Sequence, residues 1–258
     1  MTELNPYAPP VEDPPGLEPP AAVPGNFLPD GRAVSTAQAV RWVPIAFAAF
    51  RRDWVAWLLI FGVLGVGYLV AVITPIVGPL VLWVGMPVVS GGLLMGCAAS
   101  ARGERLRVGH VFAAVGHHAT RLVGLGLVYL VVSTLCTGPL LWMWASGAKV
   151  GPSQLPEMTP TIVGVGLVTT LAWVPMQAAS WFALAQIVGE RRPVFSALRS
   201  GALGAFKNLG PLFVQWLLTI LMYIAVAMTC MIGMPVFIAV AVTCTHLAYR
   251  DIFFSPVR

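Results

Sequence analysis

Charge is what this chain has least of. Only 10% of its 258 residues are Asp, Glu, Lys or Arg, while 58% are hydrophobic and the mean hydropathy is +0.83. Soluble domains carry about a quarter charged residues, so a soluble globular fold is excluded and the surplus apolar surface requires lipid. Carboxylates are scarcest: past residue 34 there are only Asp53, Glu104, Glu157, Glu190 and Asp251, too scattered for an acid/base pair. No nucleophile motif, phosphate-binding loop or HExxH sequence is present. No catalytic residue is therefore assigned, and the chain is read as a non-enzyme. The four cysteines (Cys97, Cys136, Cys230, Cys244) form no CxxC and fall within or at the ends of apolar runs, where they read as small packing residues. His110 and His117 are seven residues apart, but no Cys, Asp or further His stands at ligand spacing beside them or His118. Met222, Met228, Cys230, Met231 and Met234 offer soft sulfur suited to copper(I), yet methionine is also an ordinary apolar filler. No metal and no cofactor are expected.

What is present is a threefold recurrence. Phe47-Ala48-Ala49-Phe50-Arg51-Arg52, Phe112-Ala113-Ala114-Val115-Gly116-His117-His118 and Leu203-Gly204-Ala205-Phe206-Lys207-Asn208 each lead into a pair of long apolar runs. The pairs exit through Arg102-Gly103-Glu104-Arg105, Gly189-Glu190-Arg191-Arg192 and Tyr249-Arg250-Asp251. Runs over residues 54–73, 77–99, 122–144, 161–188, 209–228 and 232–249 are long enough to span a bilayer, which takes about 20 helical residues. They lack the period-2 alternation of barrel strands. The expected fold is all-α: a polytopic helical bundle of six transmembrane helices in three tandem units, each an amphipathic helix plus a hairpin. Amphipathic helices are expected over residues 35–52, 108–118 and 194–208, with Trp42 an interfacial ring. Pro44 predicts a bend or a late helix start, and Pro87, Pro175 and Pro235 predict kinks. Residues 1–34 hold nine prolines and five acidic residues against Arg32 alone. They read as a disordered, acidic cytoplasmic tail without a cleavable signal peptide, and residues 35–258 as the membrane domain.

Orientation follows from the connections. Thirteen Lys and Arg residues flank the runs on one side, and Lys149 alone lies on the other. The positive-inside rule then places both termini in the cytoplasm. Successive units keep one orientation, so the repeat is parallel rather than inverted. The basic residues at run ends point to anionic headgroups rather than nucleic acid; Arg51, Arg52, Arg105, Arg107, Arg191, Arg192 and Lys207 are the candidate contacts. Ionisable residues are missing from the middle of every run, which weighs against proton- or ion-coupled transport. The fourth run is the most polar, and its Gln177 and Gln186 are candidate cavity-lining residues beside Pro175.

Further positions carry a resemblance: Arg41-Trp42 with Phe50-Arg51-Arg52, Ile76-Val77-Gly78-Pro79, Pro87 with Gly91-Gly92-Leu93, Ala101-Arg102-Gly103-Glu104, Lys207-Asn208-Leu209-Gly210-Pro211 and Tyr249-Arg250-Asp251-Ile252-Phe253. Over about residues 38–254 the chain resembles a family of uncharacterised proteobacterial inner-membrane proteins, distantly similar to the membrane domain attached to some glycerophosphodiester phosphodiesterases. Asn5-Pro6-Tyr7-Ala8-Pro9-Pro10 looks like tails on several unrelated bacterial membrane proteins. The resemblance implies location and topology, with no reaction, ligand or catalytic residue. The leading expectation is a non-enzymatic scaffold that contacts membrane lipids and a membrane-protein partner or further copies of itself. The alternative is a transporter or permease for an apolar or amphipathic small molecule. A membrane-attached enzyme of lipid metabolism would need Glu104, His110 and Glu190 to converge.

Overall fold

A computed structural model describes residues 25–74, 77–116, 118–147 and 160–255. Residues 1–24, Pro75, Ile76, His117, residues 148–159 with Lys149 and Glu157, and residues 256–258 lie outside the described residues. Among the described residues eight α-helices follow in order: α1 (Thr36–Arg52), α2 (Trp54–Ile73), α3 (Val77–Ala101), α4 (Ala119–Gly147), α5 (Pro160–Glu190), α6 (Val194–Lys207), α7 (Leu209–Met228) and α8 (Met234–Phe253). All but α1 and α6 are long and apolar enough to cross a membrane. Among the described residues the only extended pairing is an isolated antiparallel bridge between Phe27 and Phe254. The chain is an all-α bundle with six candidate spans in three tandem units.

The joints show the repeat most directly. Asp53, His118 and Asn208 each stand immediately before the first spanning helix of a unit, and each is buried. Their carbonyls accept the N–H four residues on, from Trp57 (3.2 Å), Leu122 (3.0 Å) and Leu212 (3.0 Å). Asp53 and Asn208 adopt almost the same backbone conformation, φ −121°, ψ 30° and φ −123°, ψ 31°. A single residue thus turns the chain from lead-in helix into span in the first and third units.

The lead-in helices pack through their small residues. α1 is capped by Ser35, whose Oγ accepts the Gln38 N–H, and it buries Ala39, Trp42 and Ala46. α6 buries Ala197, Ser200, Gly201, Gly204 and Ala205. The larger apolar side chains face outward: Val40, Ile45 and Phe47 on α1, and Phe195 and Phe206 on α6. Trp42 is therefore not the expected interfacial ring but a fully buried core residue. α6 presents its glycines, not its aromatics, to the bundle, because a Cβ at Gly201 would strike the Ala179 carbonyl of α5.

The expected helix over residues 108–118 is reduced to a 3-10 turn, Val108–Phe112, followed by further turns. Gly92 of α3 lies so close that a Cβ there would collide with the carbonyl oxygens of His110 and Val111, leaving no room for an α-helix. Gly109 and Gly116 also disfavour helix. Pro44 lies inside α1 without delaying its start. Pro235 falls in the first turn of α8, where its missing N–H has no intrahelical partner to lose, so it introduces no kink. α8 continues to Phe253, making Arg250 and Asp251 helical rather than part of an exit turn.

Taken over one 18-residue apolar stretch of each span, α8 is 56% buried and α5 53%, whereas α2 and α7 are only 17% and 11% buried. The latter two carry the outward apolar surface, including Leu59, Val66, Leu69, Phe213, Trp216 and Ile224. Three packed clusters fill the interior. The largest joins α1, α5 and α8 around Trp42, Phe182, Leu247 and Phe253. A second joins α3, α4 and α5 around Leu122, Leu125 and Ile187. The third joins α2, α3 and α8 around Trp57, Ile60, Leu93 and Ala239.

Residues 25–34, read from the sequence as part of a disordered tail, are packed against the bundle. Leu28 N–H donates to the Phe253 carbonyl (2.8 Å), Arg32 N–H to Ile252 (2.7 Å), and Ser255 N–H to Asn26 (3.1 Å). The Arg192 guanidinium lies 5.3 Å from the centre of the Phe27 ring. Residues 25–34 form a strap across the ends of α6 and α8.

Three spans are followed by left-handed backbone, α7 by Cys230 and Met231 at φ +49° and +66°. After α3 the position is Gly103, at φ +92°; after α5 it is Arg191, at φ +52°. A non-glycine residue there costs roughly 1–2 kcal/mol, of which glycine's greater chain entropy returns roughly 0.5–1 kcal/mol. Arg191→Gly is expected to raise stability by about 0.5–1 kcal/mol, read as a higher unfolding midpoint in detergent. The Arg191 carbonyl, which accepts from Arg121 Nη1 at 2.7 Å, survives the substitution.

Candidate functional site

The three basic connections meet at one end of the bundle. Arg52 Nη2 donates to the Ser100 carbonyl (2.9 Å), Ser100 Oγ (2.6 Å) and the Glu104 carbonyl (2.8 Å), joining the α1–α2 joint to the end of α3. Its Nε faces Asp53 Oδ2 at 3.2 Å, and Arg105 Nη1 stands 3.4 Å from Asp53 Oδ1. Asp53 is buried, and a buried carboxylate needs such compensation. Arg121 ties α4 to the turn after α5. Lys207 donates to the Gly31 carbonyl at 3.3 Å.

Of the sequence-predicted headgroup contacts, Arg52, Arg105 and Lys207 are thus bonded to protein as well as placed at this end. Arg192 is half-buried and donates to Gln186 Oε1 at 3.0 Å. Arg51, Arg107 and Arg191 are exposed. Gln186 is completely buried, its carbonyl oxygen taken by Arg192. Gln177 is half-buried, and its backbone carbonyl accepts from Ser180 Oγ at 2.9 Å. Glu104 pairs with Arg102 (2.8 Å), and His110 Nδ1 accepts from the Arg107 N–H (3.0 Å) within its own turn. Among the described residues no group of three His, Cys, Asp or Glu side chains is placed to hold a metal.

A cleft of about 400 Å³ opens at this end between α1, α2, α3 and α8. Ile45, Ala48 and Ala49 of α1, with Trp57, Leu106 and Leu247, give it apolar walls; Arg52, Ser100, Thr243, His246 and Arg250 supply the polar lining. Among the described residues no carboxylate lines it. Asp251 points instead toward α1, where its Oδ2 accepts from Gln38 Nε2 and Trp42 Nε1, each at 2.8 Å. The nearest carboxylate oxygen to Arg250 is Asp251 Oδ1, 3.7 Å from its Nε and beyond hydrogen-bonding distance. His246 is 7% exposed and, among the described residues, its imidazole makes no hydrogen bond. Two guanidinium groups and an unpaired imidazole therefore share one half-apolar cleft, an arrangement suited to an anion carried on an apolar body.

Sequence reading did not find this cleft. His246 lies near the end of the sixth apolar run and Arg250 in its exit, and their convergence with Arg52 depends on packing between α1 and α8. One periodic signal was legible: His246 and Arg250 are four residues apart and share a helix face.

Six apolar helices, two of them with almost bare apolar flanks, make this a multi-pass helical membrane protein. No protein-family model matches the chain, and no curated protein or solved structure matches it.

Proposed function

We propose that this is a non-enzymatic protein of the bacterial inner membrane, with both termini in the cytoplasm, whose basic end engages anionic lipid headgroups and whose apolar flanks pack against lipid and a partner protein or further copies. The observation that carries the reading is the gathering of Arg52, Arg105, Arg121, Arg191 and Lys207 at one end of the bundle through the bonds described above. Interfacial cations attract anionic lipid by about 1 kcal/mol each and favour the cytoplasmic side. The resemblance to proteobacterial inner-membrane proteins supports the same location.

The chain contains its own topology reporter. Cys230 is exposed in the turn between α7 and α8, at the end opposite the basic joints, whereas Cys97 and Cys244 are buried. A membrane-impermeant maleimide is expected to label intact spheroplasts, and Cys230→Ser is expected to abolish that labelling. Labelling of Cys230 only from the cytoplasmic face would reverse the orientation. Headgroup engagement is tested by lipid retention in native mass spectrometry, with phosphatidylglycerol expected to be retained over phosphatidylcholine; equal retention would remove the lipid role.

A further inference from the structure

We infer that the cleft between α1, α2, α3 and α8 is a discrete binding site for the phosphate group of an anionic phospholipid, which deepens the lipid-engaging reading above and rests on it. Three observations converge. First, the polar lining is cationic: Arg52 and Arg250 face the cleft, while Asp53 and Asp251 direct their oxygens to Arg52, Arg105, Ser100, Gln38 and Trp42. Second, His246 is more than nine-tenths buried and lines the cleft, and its imidazole has no hydrogen-bond partner among the described residues. Its ring nitrogens are not sealed off within the protein but reach the cleft, where a phosphate oxygen would accept from a ring N–H. Third, the walls are apolar, and Ile45, at 47% exposure, continues the apolar surface outward along α1. A free phosphate ion would gain nothing from those walls, whereas an acyl chain would lie along them.

The roles of the two arginines differ. Arg52 is held by Asp53, Ser100 and the Glu104 carbonyl, so it presents charge from a fixed position. The Arg250 guanidinium makes no hydrogen bond among the described residues, its Asp251 contact being 3.7 Å, and its donors are available to the ligand. It is the position where a substitution removes binding with least cost to the fold.

The test uses the full chain in detergent micelles, titrated with phosphatidylglycerol and, separately, with phosphatidylcholine and inorganic phosphate, with bound species counted by native mass spectrometry. Arg250→Gln and His246→Leu are each expected to weaken phosphatidylglycerol binding about tenfold, the loss of one charged or buried hydrogen bond. Arg199→Gln, a basic residue outside the cleft, is expected to leave it unchanged. Should His246→Leu fail to fold, Arg250→Gln alone decides the point. Wild-type affinity in Arg250→Gln would overturn the cleft site while leaving the broader lipid reading intact. Absence of any phosphatidylglycerol preference in the unaltered protein would overturn both. Inorganic phosphate binding as tightly as phosphatidylglycerol would overturn the lipid as ligand and leave a soluble-anion site.

Discussion

Trp42→Ala is expected to be among the most damaging single substitutions in this chain, lowering stability by about 3 kcal/mol or more. The indole is completely buried in the cluster joining α1 to α8, and its Nε1 donates to Asp251 Oδ2 at 2.8 Å. Lipid is as apolar as leucine, so a membrane helix gains little from moving apolar surface out of lipid. The loss is therefore one of packing contacts and of the indole hydrogen bond. Trp42→Phe separates the two: it keeps most of the ring volume, forfeits the Nε1 bond and is expected to cost about 1 kcal/mol. Thermal unfolding in detergent, followed by near-UV circular dichroism, measures both. A residue acting as an interfacial ring would give a near-neutral alanine variant, so the measurement also discriminates between the two placements of Trp42.

The contrast between what the chain displays and what it conceals has a physical origin. The spans are legible because each is a continuous apolar run, and α2 and α7 begin where polar Asp53 and Asn208 interrupt the hydrophobicity. The third span pair hid its end, because Tyr249-Arg250-Asp251 has the composition of an exit turn. The Asp251 carboxylate is nevertheless satisfied by Gln38 and Trp42, more than 200 residues earlier in the chain, and α8 extends past it to Phe253. Local composition also misled at residues 25–34. Proline and acidic residues on either side argue for disorder, yet Phe27 and Leu28 form an apolar pair that docks on Phe253 and Phe254. The lead-in helices were legible as helices but not in their facing, since glycine and alanine stripes look unremarkable beside exposed phenylalanines until a neighbouring backbone closes on them.

The cleft was the least legible feature for the same reason. Its lining comes from four helices, and no two of its cationic or imidazole groups from different helices lie within 190 residues of one another. Sequence reading assigned the basic residues to one side, but treated them as an undivided headgroup surface. The structure sorts them: Arg52 and Arg105 compensate buried Asp53, Arg192 serves Gln186, Lys207 holds the strap, and Arg250 is left with free donors.

Asn208→Ala is the second substitution expected to have a large effect, and it tests whether the strap belongs to the fold. Asn208 is fully buried at the α6–α7 joint. Its Oδ1 accepts from the Val34 N–H at 2.8 Å, and its Nδ2 donates to the Arg32 carbonyl at 2.9 Å and the Gly204 carbonyl at 2.8 Å. Alanine leaves the Val34 N–H and the Arg32 carbonyl without their partners, each costing about 1–3 kcal/mol if it stays buried. The cheaper response is for the strap to lift into water, which gives up the Phe27 contacts and the Ser200 bond to the Pro29 carbonyl. Two readouts follow. Stability is expected to fall by roughly 2–4 kcal/mol, and trypsin is expected to cut after Arg32 much faster than in the unaltered protein, where Arg32 Nε is held by the Asp251 carbonyl at 2.6 Å. Asn208→Asp keeps the acceptor for Val34 but sets a buried carboxylate oxygen against the Arg32 and Gly204 carbonyls, so it is expected to cost at least as much as alanine. Unchanged cleavage at Arg32 in Asn208→Ala would show that the strap is held by its aromatic and backbone contacts alone.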